Sequence, residues 1–194
     1  MGLSHSVQAI QLKRNGELVL MNATYRTFLQ QRCPDFAHVR CKITPSMQRA
    51  VNDNWEAIAN GTTSAMRCKG PASPVIYFYD SFYTKLFEIA PEAMSILDVS
   101  VKSLFRTSII AQGKALINIV QSIVKGPVTT DAIGEVVELA YRHNKYGVKM
   151  QYYNILGRVL LLSLCECTGT DLWSDALDLA WRTVYAYMMT AMSP

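Results

Sequence analysis

Histidine is the residue type whose placement first suggests chemistry in this 194-residue sequence, because its neutral imidazole is the commonest protein ligand of metal ions. Of the three histidines, only His143 lies in a segment with helical periodicity. Leu139 and Ala140 precede it by four and three residues, and Val136 precedes it by seven. A histidine on such an apolar helix face is either a hydrogen-bonded core residue or a ligand, and the pattern alone leaves both open.

A second candidate lies on a different predicted helix. Gln112, Leu116, Ile119 and Ile123 follow one another at spacings of four, three and four residues, which places them on one helix face. Gln112 is the only strongly polar member of this stripe. It is either a surface amide at the edge of the stripe or a hydrogen-bonding group that faces a ligand.

Nearly the whole chain after residue 43 has helical periodicity, so the candidates are positioned by helices. The first helix is predicted to begin at Pro45, with Thr44 as its cap, and to end at Asn60-Gly61. A polar loop is predicted for residues 62–73. The later predicted helices are Pro74–Ile89, a short one from Pro91, Leu104–Lys125, Asp131–Asn144, Met150–Cys167 and Asp171–Met192.

Residues 1–43 are the least patterned part of the chain and are interpreted as an N-terminal extension, followed by one helical domain over residues 44–194. Apolar and polar residues alternate in Gln8–Met21. This stretch is either two short strands joined by a turn at Asn15-Gly16 or the beginning of a helix.

Composition excludes several classes of function. The net charge of +4 comes from scattered basic residues without a stripe, which argues against nucleic-acid binding. No apolar run reaches the ~20 residues that cross a bilayer, and no signal peptide is recognised. A cytoplasmic location is therefore expected. The start Met1-Gly2-Leu3-Ser4-His5-Ser6 fits the N-myristoylation pattern, which would give weak membrane anchoring.

The five cysteines form no metal-binding spacing and are predicted to be free thiols, with a Cys33–Cys41 disulfide as the alternative.

Several segments, in order, resemble the globin family, most of all bacterial single-domain globins, flavohaemoglobins and neuroglobins. Leu139–Val148, which contains His143, resembles the family's proximal-histidine segment. The resemblance covers about residues 44–192. Its other segments are Trp55 in the first helix, Phe82–Glu92 at the end of the second, Tyr153–Gly157 at the start of the penultimate and Asp178–Tyr185 in the last.

The resemblance implies an all-α globin fold of about seven or eight helices in a three-over-three arrangement around haem b, which is iron protoporphyrin IX. His143 would be the iron ligand, and its other ring nitrogen would donate to a backbone carbonyl. Tyr153 corresponds to a family tyrosine that steadies the proximal side.

On the opposite, distal side, the resemblance implies a polar pair for a bound gas. Tyr83 lies eight residues before Pro91, where bacterial globins carry a tyrosine directed at oxygen, and Gln112 takes the place of a distal histidine. The spacing from Gln112 to His143 is one residue shorter than expected. A one-residue shift would make Ala111 the distal residue.

Apolar side chains are expected to wall the haem. The family's haem-contacting phenylalanine falls on Leu97, with Phe105 as the alternative. The remaining wall residues implied by the resemblance are Phe82, Leu116, Ile119, Ile123, Leu139 and Val148.

Because no distal histidine is present, the resemblance implies five-coordinate ferrous iron that binds O2, CO and NO, for oxygen binding, transport or sensing. One alternative is a nitric-oxide dioxygenase that uses an external reductase. The other is a haem-free globin-like domain for protein–protein interaction.

Overall fold

The computed structural model describes residues 10–12, 18–20, 23–39, 42–68, 73–92 and 152–191. In this part of the chain helices dominate, as the sequence predicts. They are α1 (Ala23–Arg32), α2 (Pro45–Ala59), α3 (Ser64–Arg67), α4 (Pro74–Ile89), α5 (Tyr152–Thr168) and α6 (Asp175–Ala191), with a 3-10 turn at Pro34–Phe36. The predicted helices between residues 93 and 151 lie outside the described residues.

A small antiparallel sheet joins two parts of the predicted extension. Strand β1 (Ile10–Leu12) pairs with β2 (Leu18–Leu20), and β2 pairs with β3 (Lys42–Ile43). Of the two interpretations of residues 8–21, the two short strands are therefore confirmed, and the predicted turn at Asn15-Gly16 lies outside the described residues.

Local sequence signals set the ends of α2 and α4. The Thr44 Oγ1 atom accepts a hydrogen bond from the Met47 amide at 3.2 Å, and Pro45 occupies the first turn of α2. Gly61 follows with φ of +68°, a conformation that glycine adopts without steric cost. Helix α4 runs from Pro74 to Ile89, as predicted.

Two elements differ from the sequence prediction because of contacts that periodicity does not register. The predicted loop 62–73 contains α3, whose cap Thr63 also donates a hydrogen bond to the carbonyl of Cys167 at 2.5 Å. Helix α6 begins at Asp175 rather than at Asp171. There the Ser174 hydroxyl accepts from the Leu177 amide and caps the helix.

The core lies where α2, α4, α5 and α6 meet. Trp55 of α2 contacts Phe78 of α4 edge to face, with ring centroids 5.2 Å apart. In the same core the Trp181 Nε1 atom donates a hydrogen bond to the Asn54 Oδ1 atom. The Asn54 Nδ2 atom donates to the Thr168 hydroxyl, and both hydrogen bonds are 2.9 Å long. This bridge links α2, α5 and α6, and it satisfies polar groups that would be costly to bury alone.

Side chains from the predicted extension contribute to the same core. Leu29, Cys33, Phe36 and Ile43 are buried in it. The domain boundary at residue 44 stays a prediction. Cys33, Cys68, Cys165 and Cys167 are free thiols, and Cys41 lies outside the described residues.

Candidate functional site

Most of the predicted site residues lie outside the described part of the chain. Phe82 and Tyr83 on α4 and Tyr153 on α5 lie within it. The roles of all the predicted site residues stay predictions. Those outside the described part are Leu97, Phe105, Gln112, Leu116, Ile119, Ile123, Leu139, His143 and Val148.

One face of α4 is attached to α5 by a single carboxylate. Tyr77 donates to Glu166 Oε1 at 2.5 Å, Ser81 donates to Oε2 at 3.0 Å, and the Lys85 ammonium pairs with the same carboxylate. The three α4 residues are spaced four apart, so they form one stripe along the helix. Together they determine how α4 is rotated about its axis against α5.

The predicted gas-binding tyrosine lies on a second stripe of α4, formed by Tyr79, Tyr83 and Phe87. This aromatic stripe is offset by two residues from the stripe that binds Glu166, and two residues correspond to about 200° around the helix axis. The Tyr83 ring meets Phe82 edge to face, with ring centroids 5.1 Å apart, and lies 5.9 Å from the Phe87 ring. Attachment through Glu166 thus directs this aromatic stripe away from the polar contact with α5.

Burial keeps the hydroxyl groups of the aromatic stripe protonated. Loss of solvation raises the pKa of Tyr83 to about 12. The pKa of Tyr79 is also raised, by burial first and by nearby Tyr83 second. Since a neutral tyrosine can donate a hydrogen bond and its phenolate cannot, Tyr83 remains a donor at all physiological pH values.

On the predicted proximal side of the haem, Tyr153 occupies the first turn of α5 and is only 1 % exposed. Its backbone carbonyl accepts a hydrogen bond from the Tyr185 hydroxyl at 2.5 Å. Its own buried hydroxyl has no hydrogen-bond partner within the described part of the chain. Leaving a hydroxyl buried and unpaired costs free energy, so a partner from the undescribed segment, a bound group or an ordered water would stabilise this atom. The hydroxyls of Tyr79 and Tyr187 are also buried without a partner among the described residues.

Sequence reasoning missed Glu166, which organises α4 on α5. The available signal was an acidic residue directly after the apolar run Val159–Cys165. Hydrogen bonds from Lys85, Tyr77 and Ser81 outweigh the opposing effect of partial burial and lower the pKa of Glu166 from 4.5 to about 2. The carboxylate is therefore ionised at neutral pH.

The described residues hold no cluster of three or more His, Cys, Asp or Glu side chains that could bind a metal ion. None of the helices described is both long and apolar enough to cross a membrane.

Comparison with known proteins identifies the family of this chain. The family model described as Globin matches residues 80–192, more than half of the chain. The chain is also 26% identical over 156 residues to Leghemoglobin 49 of Vicia faba, an alignment that covers 77% of this chain and 94% of that protein. The match to the family model includes Phe82, Tyr83, His143 and Tyr153, and the chain belongs to the globin family.

Proposed function

We propose that this protein binds haem b, with His143 as the single protein ligand of the iron, and reversibly binds O2 and other diatomic gases such as CO and NO. Membership of the globin family supports haem as the cofactor. The observation that carries the proposal is the buried Tyr153 hydroxyl, ten residues after His143, which has no partner within the described residues.

The proposed proximal role includes that hydroxyl. When bound, haem supplies the iron that takes up the gas. His143 would hold the iron, and the Tyr153 hydroxyl would support that segment through a hydrogen bond. The Tyr185 hydroxyl keeps the Tyr153 backbone in place through its 2.5 Å bond to the Tyr153 carbonyl.

The distal role falls to Tyr83. Its neutral hydroxyl is a permanent donor, and the surrounding rings of Phe82 and Phe87 reduce competition from water. A hydrogen bond from such a donor to a partly negative gas ligand is worth about 1.5–3 kcal/mol, or roughly ten- to a hundredfold in affinity. Gln112 is the proposed second donor, and Leu116, Ile119, Leu139 and Val148 are proposed to exclude water.

The test of the gas-binding role is the O2 dissociation rate of Tyr83→Phe. We expect an increase of about ten- to a hundredfold, because the variant loses one charge-assisted hydrogen bond and keeps the ring. Tyr79→Phe is the matched control, since Tyr79 lies one turn earlier on the same stripe and also has a buried hydroxyl. Equal rates in wild type and Tyr83→Phe would refute the role of Tyr83 in gas binding.

The coordination number is tested separately by the ferrous spectrum without added ligand. The proposal requires a five-coordinate high-spin form that shifts when CO is added. A low-spin ferrous spectrum without ligand would mean that a second side chain occupies the gas position.

A further inference from the structure

The 3-10 turn Pro34–Phe36, in the predicted N-terminal extension, is attached to the first turns of α5. The Asp35 amide donates to Asn154 Oδ1 at 3.1 Å, and Asn154 Nδ2 donates back to Asp35 Oδ2 at 2.8 Å. The same carboxylate oxygen lies 3.5 Å from Arg158 Nε. Three polar contacts therefore tie one residue of the turn to two successive turns of α5.

Phe36 adds an apolar contact beside these polar ones. It is fully buried, and its ring centroid lies 4.9 Å from that of Tyr185. The ring fits against α5 only because residue 157 is glycine: a Cβ atom there would lie 2.5 Å from Phe36 Cζ. The Arg182 guanidinium lies over the Phe36 ring, 5.9 Å from its centre.

These contacts reach Tyr153 through its neighbours. Asp35 binds Asn154, the next residue along α5, and Phe36 packs on Tyr185, whose hydroxyl holds the Tyr153 carbonyl. The backbone of Tyr153 is thus held directly by α6 and, through its neighbours, by the turn. Its side-chain hydroxyl is the atom in this group that has no partner within the described residues.

We propose that Asp35 and Phe36 are positioning residues for the proximal side of the haem pocket, which hold the first turn of α5 so that the Tyr153 hydroxyl keeps a constant position relative to His143. This inference rests on the proposed function. The Asp35–Arg158 pair is about half exposed on both sides, so its contribution to global stability is small, while its effect on the direction of α5 remains.

The experiment compares Asp35→Ala with Asp53→Ala, an exposed carboxylate on α2. Hydrogen exchange on the haem-free protein comes first. We expect faster amide exchange over residues 152–158 in Asp35→Ala only. Exchange that equals wild type in both variants would show that the turn does not hold α5, and would overturn the inference independently of haem.

The second measurement is the iron–histidine stretching band of the ferrous protein by resonance Raman spectroscopy, with the O2 dissociation rate. A group that contacts a metal ligand typically changes affinity ten- to a hundredfold when removed. Asp35 does not contact His143 and acts through Tyr153. We therefore expect a shifted iron–histidine band and about a two- to fivefold change in the O2 dissociation rate. An unshifted band in Asp35→Ala would overturn the inference.

A double variant distinguishes a positioning role of Asp35 from a general loss of structure. Because Asp35 acts through Tyr153, Asp35→Ala is expected to cause no further shift of the band in a Tyr153→Phe background. The same shift in both backgrounds would refute this route. A wild-type protein that shows no His143-dependent haem spectrum would instead refute the proposed function, and the exchange result would still report on the turn.

Discussion

The two ends of helix α5 differ in how their polar side chains are partnered. Glu166, near its end, receives hydrogen bonds from Tyr77, Ser81 and Lys85 of α4. Tyr153, in its first turn and about 20 Å away along the axis, has a buried hydroxyl without a partner in the described chain. The Glu166 carboxylate thus has its partners on α4, whereas the Tyr153 hydroxyl has none within the described residues.

This difference indicates a division of roles along one helix. A buried polar group with all its partners contributes to stability and to the orientation of its neighbours. A buried polar group without a partner costs stability, and a bound group that accepts its hydrogen bond offsets that cost. Changes at Glu166 should therefore affect folding, and changes at Tyr153 should affect the haem.

The largest effect on stability is expected for Glu166→Ala. Three donors of α4 lose their acceptor at once, and we expect a loss of about 2 kcal/mol in the free energy of unfolding, measured by urea denaturation. Glu88→Ala, at an exposed position of α4, is the control and should change stability by less than about 0.5 kcal/mol. Equal losses in both variants would refute a special role for Glu166.

Acid should reproduce part of this loss in the unmodified protein. The folded pKa of Glu166, about 2, is below the ordinary value of 4.5, so its stabilisation is complete above pH 4.5 and disappears as the pH falls toward 2. The pKa difference corresponds to about 3 kcal/mol, but the side chain is 36% exposed, and solvent screening reduces the expected effect to about 1 kcal/mol.

The measurement is the difference in unfolding free energy between wild type and Glu166→Gln at several pH values. The difference should shrink as the pH falls from 4.5 to 2. A difference that stays constant over this range would show that the charge of Glu166 is not what stabilises the contact.

The smallest effect on stability is expected for Tyr153→Phe. The variant removes a hydroxyl without a described partner and keeps the buried ring, so the stability of the haem-free protein should change by less than about 0.5 kcal/mol. The iron–histidine band of the haem-bound form should nevertheless shift. A large loss of stability with an unchanged band would reverse the assignment of the two ends of α5.

Sequence patterns predicted the elements whose signals are local. Thr44 and Pro45 defined the beginning of α2, Asn60-Gly61 its end, and Pro74 the beginning of α4. The same patterns did not predict α3, because it depends on the contact of Thr63 with a carbonyl 104 residues away.

The candidate site depends on a different kind of signal, and its residue roles stay predictions. Tyr83 and Tyr153 followed from resemblance to a family, since a lone tyrosine carries no pattern of its own. Glu166 and the Asp35–Phe36 turn were not predicted, because each depends on residues distant in sequence. The space that Gly157 leaves for the Phe36 ring is likewise visible only in the folded structure.

Haem titration of the haem-free protein beside His143→Ala tests the central claim most directly. His38→Ala is the matched control, because His38 is exposed and lies far from His143 in sequence. The account predicts an intense Soret band in wild type and His38→Ala that shifts on reduction and on addition of CO, and its loss or alteration in His143→Ala. If wild type gives no Soret band, or His143→Ala gives the same one, the proposal that this globin holds haem through His143 is wrong, and a haem-free interaction domain becomes the better account.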